Sequence, residues 1–485
     1  MTAPHLSLNV VDGGLGTTGT NTDRLVAVFG ASASGDTATP AYYSDTRALI
    51  DDFGFGPGTS AAAYIMATSG QGIIFARATS TPGSNGSITH TGSGAASFAA
   101  SGTPNDNYSF LVTITKGADT IGLGTARANV SIDGGVTTLG NFGIAAGGTI
   151  VFPGTGVTLT FTTGGGADLV AGDTYTFTSG GPVVALADLE SCIAALPGFA
   201  ATHSGLSPTL ILDAGTGGYL SEDNGRSGDD VTELQTDVEA LASAYEYARL
   251  ITAARGQDDG ESASTWAASI ASNFSTVNAL RCDVSAGWVS LYDPAHKCYM
   301  WRPLSWTECG RLASTKVHID PAQVSLGGLP GVRAISHDER LNAGLDDARF
   351  TTTTTIVGQP GFFVTNGHLM APPGSDYIYT QYGRVMDKIC RVTYSYFIRL
   401  LSQSVLLNPT TGFIREAQAQ AIEAGNDARL KAQVVADGNV SSAVTTVSRT
   451  DNLANPGATF HAQVSAVPLG YLKTIDVDLF FVASA

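Results

Sequence analysis

Gly30-Ala31-Ser32-Ala33-Ser34-Gly35-Asp36-Thr37 has the spacing of a phosphate-binding loop and follows an apolar run, Leu25 to Phe29, of strand character. In such a loop backbone amides cradle phosphate and a lysine holds its charge. Here Asp36 stands in the lysine position, and a carboxylate repels the group the loop should bind. The segment therefore reads as a strand-to-loop turn. Asp293, His296, Cys298, Cys309 and His318 are metal-ligand types, but their spacing fits no common site and Trp301-Arg302-Pro303 lies between them. Scattered core and loop positions are the simpler reading. The chain has no Gly-x-Ser-x-Gly elbow, no His-Glu-x-x-His and no Ser-x-x-Lys set in its usual context. The expectation is a protein without catalytic residues, metal or cofactor.

A fourth set is electrostatic. Arg384, Lys388, Arg391 and Arg399 share one helical stretch with a single acid, Asp387, in a chain of 25 Lys and Arg against 42 Asp and Glu. They read either as a solvated helix face or as a surface that docks on an acidic protein. The net charge of −17 argues against nucleic acid or an anionic membrane surface as partner. Only 14% of the 485 residues are charged, where about 25% is usual, so much of the surface is expected to be covered, with copies of the same chain as one candidate. The five cysteines are an odd number at wide spacings. Cys282, Cys298 and Cys309 are expected in or near loops, as candidates for disulfides between subunits, while Cys192 and Cys390 fall in helical stretches.

The elements that must position these residues fall into five segments. Residues 1–24 hold a short alternating strand, Leu6, Leu8 and Val10, and a glycine-rich tether. The start of the chain has neither a basic n-region nor a hydrophobic h-region, so export by the usual route is not expected. Residues 25–82 and 183–330 alternate strands and helices: strands at 25–30, 72–78, 209–213, 249–253 and 280–284, helices at 44–53, 60–68, 183–196, 229–247 and 262–274. Between them, residues 83–182 carry only seven charged residues among Gly, Thr, Ser and Ala, with short alternating strands. That pattern predicts an inserted all-β sandwich. Residues 331–470 hold a long helix at 382–407, a second at 413–424 stopped by Gly425-Asn426, and a strand at 459–467. Residues 471–485 close the chain as a strand arm in which Ile475, Val477, Leu479 and Phe481 alternate with Thr474, Asp476, Asp478 and Phe480. The fold class expected is α/β (α+β) and multidomain, with a β-insertion and a strand arm at each end.

Ile356-Val357-Gly358-Gln359-Pro360-Gly361-Phe362-Phe363-Val364-Thr365-Asn366-Gly367, Tyr377-Ile378-Tyr379 and Arg384-Val385-Met386-Asp387-Lys388-Ile389 resemble the carboxyl-terminal region of contractile phage tail sheath proteins, a family that extends to the sheaths of contractile injection systems. Leu8-Asn9-Val10-Val11-Asp12-Gly13-Gly14-Leu15-Gly16 and Val26 to Gly30 resemble a sheath amino terminus. The resemblance implies identical subunits stacked as six-fold rings around a tail tube. Contraction then drives the tube through the host envelope. It also implies assembly in the bacterial cytoplasm, residence in the virion tail, and tube, baseplate and tail terminator proteins as partners. Residues 331–470 would face the tube, gripping it through Arg384, Lys388, Arg391 and Arg399, and the insertion would decorate the outside. Terminal strands that are unstable alone can complete sheets of neighbouring subunits by strand addition, and head-to-tail contacts of that kind propagate into a helical filament. The competing readings are a Thr- and Gly-rich surface or adhesin-like protein and, less well supported, a hydrolytic enzyme.

Overall fold

The computed structural model describes residues 22–203, 205–215, 225–258, 260–455 and 458–477. Leu6, Leu8, Val10, Leu479 and Phe481 lie outside the described residues. After a short 3-10 turn at Thr22–Arg24 come β1 (Val26–Gly30), β2 (Ala41–Tyr43), α1 (Thr46–Phe53), α2 (Pro57–Ser69) and β3 (Ile73–Arg77). Residues 84–180 supply β4 (Ser84–Asn85), β5 (Thr89–Thr91), β6 (Ser97–Gly102), β7 (Ser109–Lys116), β8 (Arg127–Ser131), β9 (Gly140–Gly143), β10 (Thr149–Val151), β11 (Val157–Thr162) and β12 (Thr174–Gly180). The chain then forms α3 (Leu186–Ala194), α4 (Leu196–Thr202), β13 (Leu210–Gly215), α5 (Gly228–Ser243), β14 (Arg249–Ala253), α6 (Ala263–Asn273) and β15 (Cys282–Ser285). Beyond these lie β16 (Trp288–Asp293), β17 (Cys298–Pro303), α7 (Leu304–Ser314), β18 (Val332–Ile335), β19 (Thr353–Thr354), β20 (Phe363–Val364), α8 (Thr380–Phe397), α9 (Glu416–Leu430), β21 (Ser442–Val447) and β22 (Ala462–Val467).

The first sheet runs β15-β14-β13-β1-β3-β2, parallel except for β2. Its strands are apolar runs because both faces are covered. Ala27 and Phe29 of β1 share a core with Leu189 of α3, Leu234 of α5 and Trp266 of α6. Val26 and Val28 share the core of the opposite face with Leu49 of α1, Ile65 of α2 and Trp306 of α7. Helix starts follow local chemistry: Asp45 caps α1, Ser227 and Asp230 form a capping box on α5, and Ser262 caps α6.

Residues 84–180 form two antiparallel sheets, β4-β12-β7-β8-β9 with β5 also on β12, and β10-β11-β6. Phe110, Val112 and Ile114 of β7, Leu159 and Phe161 of β11, and Tyr175 and Phe177 of β12 point into one shared core. The two connecting strands zip together where Thr81 and Val183 exchange backbone hydrogen bonds of 2.8 and 3.0 Å. Cys298 and Met300 of β17 belong to this same core, so it is closed by the hairpin that follows the parallel sheet.

Three expectations for the last third are corrected. The long helix ends at Phe397 rather than 407: a 3-10 turn over Ile398–Leu400 follows, and Ser402 takes a φ of +62°, a left-handed turn that α-helix cannot continue through. The next helix begins at Glu416 and passes through Gly425-Asn426 to Leu430. Gly425 makes room for Tyr396, whose hydroxyl a Cβ at that position would strike. The Asn426 amide, buried, donates to Thr445 Oγ1 at 2.9 Å. This pair therefore serves close packing instead of ending the helix. Finally, Tyr471 to Val477 is not a strand in the isolated chain: Ile475 and Val477 are 71% and 65% exposed and have no ladder partner among the described residues. A lone strand lacks the partner that would satisfy its amides and carbonyls.

Candidate functional site

Counted along the chain, the five parallel strands lie in the order 5-4-3-1-2, so the direction of winding reverses between β1 and β13. In doubly wound sheets ligands bind at such a switch point, beyond the carboxyl ends of the strands. Here the crevice is filled by the protein itself. The first turn of α2 presses against the end of β1, where a Cβ on Gly30 would sit 2.8 Å from Gly58 Cα, and the Gly58 amide donates to Ala31 O at 2.8 Å. On the β13 side, Asp213 accepts from Arg226 at 2.8 Å and from Thr252 at 2.9 Å. Asp36 is exposed on the outer part of the loop. The segment 30–37 is the strand-to-loop turn that its aspartate implies.

Asp293 and His296 do meet, within a buried cluster of ion pairs. His296 Nδ1 lies 3.2 Å from Asp293 Oδ2 and 3.3 Å from Ser60 Oγ, while Nε2 lies 2.9 Å from the Tyr108 hydroxyl. Arg302 completes the cluster with a bidentate pair to Asp106, at 2.8 and 2.7 Å, and a bond to Asp293 at 3.0 Å. All these groups are buried. Burial would lower the Arg302 pKa, but Asp106 and Asp293 outweigh it and keep the guanidinium charged. Burial would likewise raise Asp293, yet His296 and Arg302 hold it far below the usual carboxylate range. Ser60 and Asp293 share one ring nitrogen, so the serine does not sit on the nitrogen opposite the carboxylate as it does in a Ser-His-Asp triad. The cluster joins residues 84–180, through Asp106 and Tyr108, to β16, β17 and α2. His318 lies elsewhere, 2.7 Å from Asn439 Oδ1, and among the described residues no three His, Cys, Asp or Glu side chains are grouped to hold a metal ion.

The cysteine placements are corrected too. Cys282 in β15, Cys298 in β17 and Cys309 in α7 are fully buried within regular elements, not in loops. Burial pushes all three thiols well up, and none lies on the surface of the chain. Cys192 is buried, with its thiol pushed up to about 12, and Cys390 is half-buried; all five are free.

The cations of α8 also turn inward. Arg384 is buried and donates to Leu312 O at 2.9 Å. Lys388 lies 2.8 Å from Asp23 Oδ2 and 2.9 Å from Asp437 Oδ2. Arg391 donates to Tyr247 O at 3.1 Å and pairs with Asp23 at 3.5 Å. Asp387 is buried between Arg249 and Arg281, at 2.8 and 3.0 Å. Arg399, in the turn after the helix, is exposed. Sequence reading missed Asp23 and Asp437 because they lie at opposite ends of the chain from one another.

The hairpin beside α8 is unfinished. β21 and β22 make a two-stranded sheet. The outer edge of β21 is occupied by α9: Thr445 N donates to Asp427 at 2.7 Å and Val447 N to Glu423 at 2.8 Å. The outer edge of β22 has no ladder partner among the described residues. Its sequence, Ala462-Gln463-Val464-Ser465-Ala466-Val467, carries no charge and no proline, the usual guards of a free edge. Beside it a groove of about 480 Å³ runs along α8, lined by Tyr382, Val385, Met386 and Ile389 and closed by Ala466 and Leu469. The tail leaves this groove anchored by Tyr471, whose hydroxyl donates to His318 O at 2.6 Å, and by Lys473, which donates to Asn366 at 2.6 Å.

A family model described as DUF2586, N-terminal domain, matches residues 3–368. No curated protein matches the sequence. Among solved structures, the chain is similar to the anti-feeding prophage helical sheath in its contracted state, at TM-score 0.51 and 11% identity over 100% of both chains. It is also similar to a chain of the contracted anti-feeding prophage baseplate, at TM-score 0.53 and 10% identity over 100% of both. A sheath tail protein from Desulfitobacterium hafniense aligns at TM-score 0.45 and 12% identity, over 96% of this chain and 100% of that one. At such identities the first two likenesses establish a shared fold.

Proposed function

The chain belongs to the DUF2586 family, and on that premise we propose that it is the structural subunit of a contractile tail sheath, polymerising as stacked six-fold rings around a tail tube. Subunits join by strand exchange. A terminal arm of one subunit, carrying Leu6, Leu8 and Val10 or Ile475, Val477, Leu479 and Phe481, adds to β22 of the next, its alternate apolar side chains lying toward the α8 groove. Baseplate and terminator proteins bound the stack at its ends, residues 84–180 turn outward, and Arg399 faces the tube.

The observation that carries this reading is the asymmetry of the β21–β22 hairpin. One edge is blocked by two carboxylates of α9, while the other is uncharged, without a ladder partner among the described residues, and beside a groove. Ser448 N donates to His461 O, and stepping two residues along each strand leaves the Val464 amide pointing away from β21. Val464→Pro therefore removes a donor from the free edge without touching the hairpin's own ladder. The full-length chain is expected to form tubes under negative stain and Val464→Pro to stay as folded monomer. Tubes of equal length from both proteins would refute strand addition at β22.

A further inference from the structure

Lys388 touches both ends of the assembly machinery. Its ammonium is nearly buried, with the side chain 8% exposed, and holds Asp23 Oδ2 at 2.8 Å and Asp437 Oδ2 at 2.9 Å. Asp23 sits in the Thr22–Arg24 turn, directly after the segment read as the amino-terminal arm. Asp437 sits in the turn five residues before β21, at the root of the hairpin whose second strand offers the free edge. The arm root has further holds: Arg391 reaches Asp23 at 3.5 Å, and Arg24 donates to Ser314 O at 3.0 Å. The hydrogen bond and charge of Lys388 also hold the Asp437 carboxyl below its usual range. Two roots separated by most of the chain are thus tied through one amine on a rigid helix.

We propose that Lys388 is the joint that keeps the outgoing amino-terminal arm and the acceptor hairpin of one subunit at a fixed spacing, so that the strand given and the edge offered stay in register along the polymer. What the arm and the edge do rests on the sheath reading; the joint itself rests on the contacts of Lys388 alone. A positioning role of this kind needs a cation in this place and not merely a filled volume. Lys388→Met is expected to fold, because its two carboxylates are 27% and 52% exposed and are not left buried without a partner.

The test is hydrogen exchange on the full-length monomer. Lys388→Met should raise exchange about fivefold or more at residues 22–25 and 437–441 together, leaving β13 unchanged, and Lys388→Arg should restore both segments. Unchanged exchange at either segment, or equal behaviour of the Met and Arg variants, overturns the joint. Assembly is then read separately. Absence of tubes from the unaltered protein counts against the sheath reading, whereas tubes of uniform diameter formed as fast by Lys388→Met as by the unaltered protein overturn the role of the joint in register.

Discussion

Glu308, inside α7, faces Asp283 of β15 with neither side chain reaching solvent. Thr351 donates to Asp283 at 2.8 Å and Thr380, the first residue of α8, donates to its other oxygen. With both oxygens of Asp283 accepting, Glu308 is the member that keeps its proton; burial, then the charge of Asp283, pushes its pKa well up. Because the folded pKa lies above the unfolded one, the folded state binds the extra proton. Its contribution to stability is therefore complete below the ordinary glutamate range and is lost as pH rises toward the folded value. Glu308→Gln, which keeps a donor and cannot ionise, should flatten the fall in melting temperature from about pH 5 to about pH 9 and be the more stable protein at the alkaline end. An unchanged slope would mean that Glu308 is ionised in the fold.

Between elements, the contact that decides most is the one joining β7 and its flanks to the β16–β17 hairpin. Asp106→Ala leaves Arg302 buried with Asp293 as its remaining carboxylate, a loss of about 3–5 kcal/mol by denaturant unfolding. A cost below about 1 kcal/mol would make the cluster dispensable. Much of the parallel layer was legible in sequence, since its strands are apolar runs that alternate with helical stretches. The inward turn of Arg384 and Lys388 was not: charge on a helix reads as solvated until its partners are known, and Asp23 stands 365 positions from Lys388 in the chain. Cys298 was misplaced because Cys298, Met300 and Arg302 alternate toward a core supplied by a distant segment. The β22 edge was half legible. Its strand was expected from composition, but which side was guarded depended on Asp427 and Glu423 of a helix whose end was misjudged at Gly425.

At the scale of the molecule, the switch-point crevice of the parallel sheet is filled by the chain's own α2 and Asp213 cluster. Two antiparallel sheets lie between β3 and α3, and near the carboxyl end a two-stranded hairpin has no third strand among the described residues. An edge without charge or proline, and without a partner among the described residues, is a hazard in a monomer and a joint in a polymer, and a groove lined by α8 lies beside it. Cryo-electron microscopy of tubes grown from the full-length chain tests this most directly. Rings of six subunits with an extended segment of a neighbour hydrogen-bonded along Ala462–Val467 are expected; tubes in which that edge faces solvent, or a chain that stays monomeric at high concentration, would overturn strand exchange at β22.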